Sequence, residues 1–199
     1  MAVFFTADTH FGHGAVIRFC SRPFASAEEM DEALLANWRA CVGPKDTVYH
    51  LGDVLFGNRE QVKTLGESIR RLPGRKVLVP GNHDHRHMDL LASIFDEVLP
   101  PLADVRLQIP AGTEGFWNGW ASLCHYPLSV WNGFYRGGVH FFGHVHARML
   151  DTDRRIDVGV DNWNYAPARL EAVLARMRAT EPYASPEIEP APDGEEDSE

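Results

Sequence analysis

The chain has 199 residues, enough for a single domain with a sizeable hydrophobic core. Hydrophobic residues make up 44% and charged residues 24% of the sequence, as in ordinary soluble globular proteins. No apolar run approaches the roughly 20 residues that cross a bilayer, which argues against a membrane partner. The segment before residue 8 lacks the basic start and long apolar stretch of a secretory signal, so a cytoplasmic location is expected.

The net charge of −9 is concentrated at the C-terminus. Residues 181–199 contain eight carboxylates, four prolines and no Lys or Arg, so the rest of the chain is close to neutral. A body of this kind has no broad basic surface for nonspecific binding of duplex nucleic acid. The composition predicts a folded domain over residues 1–180 and a disordered acidic, proline-rich tail over residues 181–199.

Strands and helices alternate in the first half of the chain. The apolar run at residues 2–7 predicts a buried strand, which a polar loop follows at residues 8–13. Ser26 and Glu29 form a possible capping box, and behind it Met30, Leu34, Leu35 and Trp38 recur at helical spacing. Three further elements are predicted: a strand at residues 47–51, a helix containing Val62, Leu65, Ile69 and Leu72, and a strand at residues 76–79. This alternation is typical of an α/β fold.

The second half is richer in strands. Strands are predicted at residues 105–109, 116–125, 139–142 and 154–160, with Gly, Asn and Pro between them. Pro167 is expected to begin a final helix, in which Leu170, Val173, Leu174 and Met177 lie on one face.

Polar motifs follow several of these predicted strands. They are Asp8-Thr9-His10, Gly52-Asp53, Gly81-Asn82-His83-Asp84, His125, and Gly143-His144-Val145-His146. Loops at the carboxyl ends of strands in an open α/β sheet are where ligands collect. Side chains two residues apart on an extended chain point the same way, so Asp8 with His10, and His144 with His146, can each aim at one point or straddle two.

The chemistry of these residues indicates a metal site. Asp, Asn and His side chains without Cys suit divalent ions such as Mn²⁺, Fe²⁺, Zn²⁺ or Mg²⁺. Seven candidate ligands are more than one catalytic ion takes when a position stays open for water. Two ions that share one carboxylate are the economical interpretation, and a mononuclear site with one ion per chain is the alternative.

Taken in order, the five motifs resemble those of the calcineurin-like metallophosphoesterase superfamily over roughly residues 3–165. The stretches TADTHFGH, HLGD, GNHD and DVGVDNWNY are similar to a small bacterial and phage branch of predicted phosphoesterases. The resemblance implies an α/β fold, a four-layer sandwich of two mixed β-sheets flanked by helices.

The resemblance also implies a role for each motif residue. Asp8, His10 and His146 would hold the first metal, Asn82, His125 and His144 the second, and Asp53 would bridge the two. His83 would lie over the phosphoryl group, where it stabilises developing charge or protonates the leaving oxygen, and Asp84 would orient His83. Mn²⁺ is the expected ion, with Fe²⁺, Zn²⁺ and Mg²⁺ as alternatives.

The expected reaction is hydrolysis of a phosphoester by a metal-bridging hydroxide that attacks phosphorus in line with the leaving group. Protein Ser/Thr phosphatases extend the second motif to GDxxDRG, but here Phe56 takes the place of the second Asp and no matching Arg follows. A phosphodiester substrate is therefore favoured. The candidate substrates are a small phosphoester, a nucleotide or the end of a nucleic-acid chain. The alternatives are a phosphomonoesterase, a nucleotide pyrophosphohydrolase, or a non-catalytic scaffold on the same fold.

Candidate substrate contacts are less sharply indicated. They are His13, Arg22, Tyr135 and Arg136, because guanidinium groups match phosphate geometry and an aromatic ring could hold a base or leaving group. A packing role for His13 and solvated surface positions for the arginines are the alternatives. The segment Asp161–Asn164 could serve only to form a turn. The oligomeric state stays open.

Overall fold

The computed structural model describes residues 1–113 and 117–183. Nine β-strands lie in these residues. They are β1 (Val3–Thr6), β2 (Thr47–His50), β3 (Arg75–Leu78), β4 (Glu97–Val98), β5 (Leu102–Arg106), β6 (Trp120–Cys124), β7 (Val139–Phe142), β8 (Arg155–Asp157) and β9 (Ala168–Arg169).

The strands form two mixed sheets. The first has the order β4-β3-β2-β1-β9, in which β1 to β4 are parallel and β9 runs antiparallel to β1. The second has the order β5-β6-β7-β8, in which only the pair β5 and β6 is antiparallel. Parallel neighbours place the carboxyl ends of their strands at one edge of each sheet, and this edge carries the site described below.

Five α-helices lie in the described residues. They are α1 (Gly14–Phe19), α2 (Ala27–Cys41), α3 (Arg59–Arg70), α4 (Met88–Ile94) and α5 (Leu170–Arg178). The side chain of Ser26 caps α2 by accepting from the backbone N–H of Glu29 at 3.2 Å, as the sequence predicts. Asn58 and Gln61 form a full capping box at the start of α3.

The core has two parts. Between the sheets, Phe5 of β1 packs edge-on against Phe141 of β7 with ring centroids 4.6 Å apart, and Leu174 of α5 joins the same cluster. On the other face of the first sheet, helices α1 to α4 bury a second cluster that contains Trp38 and Ile69. The predicted architecture of two mixed sheets flanked by helices is therefore confirmed.

Several predicted boundaries differ from the structure. Pro167 does not begin the last helix: Ala168 and Arg169 first pair with β1, and the helix starts at Leu170. The strand predicted at residues 105–109 lies at Leu102–Arg106, and the strand predicted from residue 116 is described from Trp120. Helices α1 and α4 and the two-residue strand β4 were not predicted, because short elements carry little periodicity.

The described chain continues past the predicted domain end at residue 180. The Tyr183 hydroxyl donates to the Ser129 carbonyl at 2.9 Å, and its backbone N–H donates to Asp153 at 2.8 Å. The rest of the predicted tail, residues 184–199, lies outside the described residues. Within the described ranges, no helix is both long and apolar enough to cross a membrane.

Candidate metal centre

The strand ends bring the polar motifs together. Three motifs follow β1, β2 and β3 of the first sheet, and two follow β6 and β7 of the second. Two clusters result. Ligand atoms of Asp8, His10 and His146 all lie within 4.8 Å of one another, and the same holds for Asp53, His125 and His144.

The backbone at these positions is strained. Residues other than glycine rarely adopt positive φ, and each instance costs on the order of 1–3 kcal/mol. Five of the seven predicted ligands nevertheless adopt it: Asp8 (56°), His10 (50°), Asp53 (56°), His144 (71°) and His146 (49°). Strain of this kind persists only where the surrounding structure enforces it, and it is concentrated here at the candidate ligands.

Two glycines allow the motifs to approach each other closely. A Cβ atom on Gly143 would lie 2.4 Å from Oδ2 of Asp8, and one on Gly52 would lie 2.3 Å from the backbone nitrogen of Gly81. Gly52 also has φ of +87°. Any larger residue at either position would separate the motifs that supply the ligands.

The first cluster has unpaired atoms that face one another. Oδ2 of Asp8 accepts from the backbone N–H of His144 at 2.9 Å, but Oδ1 of Asp8 and Nε2 of His10 are buried without a hydrogen-bond partner in the described structure. Oδ1 of Asp8 lies 4.0 Å from Nε2 of His10 and 3.9 Å from Nε2 of His146. These separations are too long for hydrogen bonds and suit three ligands of one cation.

The second cluster shares Asp53 with the first. Oδ2 of Asp53 lies 3.4 Å from Nε2 of His125 and 3.6 Å from Nε2 of His10, so one carboxylate oxygen faces both groups. Oδ1 of Asp53 accepts from the backbone N–H of His83 at 2.9 Å. Asn82 belongs to the same group, because its Oδ1 lies 3.0 Å from Nε2 of His125. All seven predicted ligands are thus adjacent.

Outer hydrogen bonds fix the orientation of two imidazoles. Nδ1 of His125 lies 2.7 Å from the Leu51 carbonyl, to which it donates. Nδ1 of His146 lies 2.8 Å from Oδ2 of Asp161, to which it donates in turn. Both rings therefore present Nε2 to their cluster, as metal-ligating histidines do.

The charges of the site are strongly coupled. Burial raises the pKa of Asp8 to about 7, against the attraction of His125 and His146. Burial also raises the pKa of Asp53, but the hydrogen bond and positive charge of His125 outweigh this and hold it well below its usual value. For His125, burial lowers the pKa, yet the bond to Asp53 and the nearby carboxylates raise it to about 9. Carboxylates in this site are stabilised by positive charge, which divalent cations would supply while they displace protons from the imidazoles.

His83 and His13 lie at the rim of the centre. The His83 side chain is 43% exposed, with Nε2 3.9 Å from Oδ2 of Asp53. The His13 ring stacks on Phe56 at 4.3 Å, and its Nδ1 lies 3.3 Å from Nδ1 of His10. His83 is therefore accessible to a bound molecule, and His13 contacts the nitrogen of His10 that faces away from the cluster.

Asp84 contacts the loops rather than the His83 ring. Its two carboxylate oxygens accept from the backbone N–H groups of Gly81 at 2.8 Å and of Asp53 and Val54 at 2.9 Å each. The expectation that Asp84 orients His83 is replaced by a different role. Asp84 joins the second motif to the third and fixes the backbone that carries Asp53.

Arg22 does not face the cleft. Its side chain is fully buried, its guanidinium pairs with Asp161, and it donates to the carbonyl of Asp8 at 2.7 Å. The sequence analysis expected Arg22 to contact substrate phosphate. It cannot do so, because its hydrogen-bond donors are used inside the protein. Asp161 is correspondingly more than a turn residue. Its partners Arg22 and His146 could not have been identified from the sequence spacing.

The cleft beside the first cluster has a volume of about 560 Å³. His10, His13, Phe56, His83 and His146 line it together with Arg148, which sequence analysis missed. The position of Arg148 two residues after His146 was the available signal. Tyr135 and Arg136 are not among the residues that line the cleft. Tyr135 is 73% exposed, and Arg136 lines a separate hollow with Asp104 and Trp120.

Comparisons with known proteins agree with this arrangement. A family model described as calcineurin-like phosphoesterase matches residues 1–160. The uncharacterized protein MJ1445 of Methanocaldococcus jannaschii is 31% identical over 180 residues, which cover 86% of this chain and 89% of the relative. The gene 66 protein of Mycobacterium phage D29 is 32% identical over 183 residues, which cover 81% of this chain and 89% of the phage protein.

A solved structure shows the same fold. It is the crystal structure of AQ665 of Aquifex aeolicus, a protein of unknown function, with a TM-score of 0.66 and 23% identity. The similarity covers 86% of this chain and 97% of that one. Sequence motifs, fold and site geometry agree with the family match: the chain belongs to the calcineurin-like phosphoesterases and is a metal-dependent phosphoester hydrolase.

Proposed function

We propose that this protein hydrolyses a phosphodiester with two divalent metal ions, and that Mn²⁺ is the ion used. The observation that carries the proposal is the pair of adjoining clusters on either side of Asp53, with unpaired buried atoms at Asp8 and His10. Asp8, His10 and His146 would hold one ion, Asn82, His125 and His144 the other, and Asp53 both. The ions would neutralise phosphate charge and acidify a water molecule.

The protein's own residues would then organise the reaction. The partly exposed His83 would donate a hydrogen bond to a phosphate oxygen and a proton to the leaving oxygen as its bond to phosphorus breaks. Asp84 fixes the loop of Asp53, and the carbonyl of Leu51 holds the His125 ring in position. Water supplies the oxygen that forms the new bond to phosphorus, so no covalent enzyme intermediate is needed.

The charges that line the cleft support a diester over a monoester. Among the described residues lining it, Arg148 is the one side chain that is always cationic. Arg22 is buried in its ion pair, and Phe56 takes the place of the Asp found in protein phosphatases. A diester has one negative charge and requires fewer cations than a dianionic monoester. These features favour a small phosphodiester, a nucleotide or the end of a nucleic-acid chain.

Hydrolysis of bis(p-nitrophenyl) phosphate and of p-nitrophenyl phosphate tests the proposal. Each is assayed with chelator-treated protein, with and without Mn²⁺, Zn²⁺, Fe²⁺ or Mg²⁺. We expect cleavage of the diester that returns with Mn²⁺. Cleavage of the monoester alone would favour a phosphomonoesterase, and no activity with any ion would contradict the proposal.

Variants separate metal binding from catalysis. Asp53→Asn should abolish most activity and lower metal content, because Asp53 faces both clusters. His83→Ala should lower kcat while two metal ions per chain remain bound. The exposed Glu32→Gln is the matched control for loss of a carboxylate and should retain both activity and metal content. Loss of metal in His83→Ala would contradict the role given to His83.

A further inference from the structure

A second depression lies next to the metal centre. Its volume is about 640 Å³, and the first turns of α3 and the segment from His85 to Leu90 form its walls. Its basic lining residues are Arg59, Lys63, His85, Arg86 and His87, against a single carboxylate, Asp89. We refer to this depression as the cationic groove. Its charge contrasts with the near-neutral body of the protein.

Three cations of the groove form no close ion pair with the described residues, although Lys63 is near enough to Glu67 to help lower the pKa of that carboxyl. Arg59, Lys63 and Arg86 are exposed, and none of them has a hydrogen bond or ion pair within the described part of the chain. Arg59 and Lys63 are four residues apart on α3, so they lie on the same helical face. Nearby arginines behave differently: Arg70 pairs with Glu67 at 2.6 Å. Like charges that outnumber the nearby carboxylates attract an anion.

The chain itself connects the groove to the cleft. Phe56 and His83 line the cleft, with ring centroids 5.9 Å apart. Arg59 and Arg86 each follow one of these residues by three positions, a distance of at most about 10 Å along the backbone. A stacked nucleic-acid strand advances about 3.4 Å per nucleotide, so the groove lies within roughly three nucleotides of a phosphate held at the metal centre.

We propose that the cationic groove binds the backbone phosphates of a single nucleic-acid strand whose scissile diester lies at the metal centre. This inference rests on the proposed phosphodiesterase function and names its substrate class. The groove is concave, with Val62, Met88 and Leu90 among its lining residues, so sugars and bases find apolar contact between the cations. A concave groove with a few cations on a near-neutral body suits a single strand better than a duplex or a flat anionic membrane.

Binding of a fluorescein-labelled single-stranded oligonucleotide tests the proposal. Fluorescence anisotropy is measured on the full chain in chelator, so that no hydrolysis occurs, over a range of salt concentrations. In the triple variant Arg59→Gln, Lys63→Gln, Arg86→Gln we expect at least about tenfold weaker binding. The slope of log affinity against log salt should fall by about 2, since each phosphate contact to a single strand contributes about 0.7.

A matched triple variant controls for net charge. Arg39→Gln, Lys45→Gln, Arg71→Gln removes the same charge from exposed positions that precede β2 or β3, at the opposite end of these strands. It should bind the oligonucleotide as the wild type does. Equal weakening in both triple variants, or no binding by the wild type, would overturn the proposal. Tighter binding of phosphatidylglycerol vesicles than of the oligonucleotide would also overturn it and indicate a lipid surface.

Kinetics distinguish failure of the groove from failure of the proposed reaction. With Mn²⁺ present, the ratio of kcat/KM for the oligonucleotide to that for bis(p-nitrophenyl) phosphate should fall about tenfold or more in the groove variant, through KM. A ratio equal to that of the wild type would overturn the groove while diester cleavage upheld the proposed function. The single variant Arg86→Gln repeats the test if the triple variant does not fold.

Discussion

Asp161 accepts hydrogen bonds from both His146 and Arg22. Its Oδ2 lies 2.8 Å from Nδ1 of His146 and 2.8 Å from Nη2 of Arg22, while its Oδ1 accepts from Nε of Arg22 at 2.8 Å. Arg22 in turn donates to the carbonyl oxygens of Asp8 and Thr9. One buried ion pair thus connects the first and last ligand motifs, so the geometry of the first cluster depends on groups that touch no substrate.

Replacing Asp161 by Asn should weaken one metal site of the two. His146 would lose the carboxylate that fixes its tautomer, and Arg22 would lose its counter-charge. Removing outer partners of this kind typically lowers metal affinity about 10–100-fold. Titration of chelator-treated protein with Mn²⁺ by calorimetry should show one site of reduced affinity and one retained.

Glu32→Gln serves as the control, because Glu32 is exposed on α2 and far from the motifs in sequence. It should show the wild-type titration with two ions. Two sites of unchanged affinity in Asp161→Asn would show that the carboxylate has no positioning role.

Replacement of Arg22 should lower stability, whereas replacement of Arg148 should weaken substrate binding. Arg22→Met leaves Asp161 buried without its cation and two carbonyl groups without their donor, so the free energy of unfolding should fall by about 3–5 kcal/mol. Arg148→Gln, at an exposed position on the cleft, should leave that free energy within about 0.5 kcal/mol and raise KM for a diester. Urea unfolding and steady-state kinetics measure both. An Arg22→Met protein of normal stability with raised KM would restore the substrate contact expected from the sequence.

The ligands were predictable because local sequence encodes their placement. Asp8, Asp53 and Asn82 follow three short strands after one, two and three intervening residues, and such strands end at the same edge of a parallel sheet. The same reasoning could not find the ion pair of Arg22 with Asp161. These residues are 139 positions apart, and their contact depends on how the two halves of the chain pack.

The start of the last helix shows a second limit of local patterns. Pro167 followed by helically spaced apolar residues is a sound signal for a helix start. In the structure, the edge of β1 offers backbone hydrogen bonds to Ala168 and Arg169, and this tertiary pairing delays the helix to Leu170. Arg59 and Arg86 illustrate the same point, since only the fold brings them into one groove.

Asp84 should be required for the placement of Asp53. Asp84→Ala would leave three buried or half-buried backbone N–H groups without their acceptor, each costing on the order of 1–3 kcal/mol. The free energy of unfolding should fall by at least about 3 kcal/mol, and metal-dependent diester hydrolysis should fall with it because the loop of Asp53 is released. Thermal unfolding, metal content and kcat measure these effects. Asp84→Glu, which keeps the carboxylate, should recover part of the metal binding; wild-type activity in Asp84→Ala would contradict this role.

The stability of the metal-free protein should fall in acid partly through His140. Burial lowers the pKa of His140 to about 4 from an ordinary 6.5, and this outweighs the contacts with the Ser122 and Tyr126 carbonyls, which raise it. In the neutral ring Nδ1 donates to the Ser122 carbonyl and Nε2 accepts from the Leu128 N–H. Between these values the unfolded chain binds the proton and the folded chain does not, so this contribution is fully present above pH 6.5 and is lost as the pH falls towards 4. The resulting loss in the free energy of unfolding at pH 4 is about 3 kcal/mol.

Urea unfolding of chelator-treated protein at several pH values measures this contribution. The slope of the free energy of unfolding against pH should be smaller for His140→Gln than for the wild type. Only the slopes are compared, so a constant loss of stability in the variant does not affect the result, and equal slopes would show that protonation of His140 does not limit the fold.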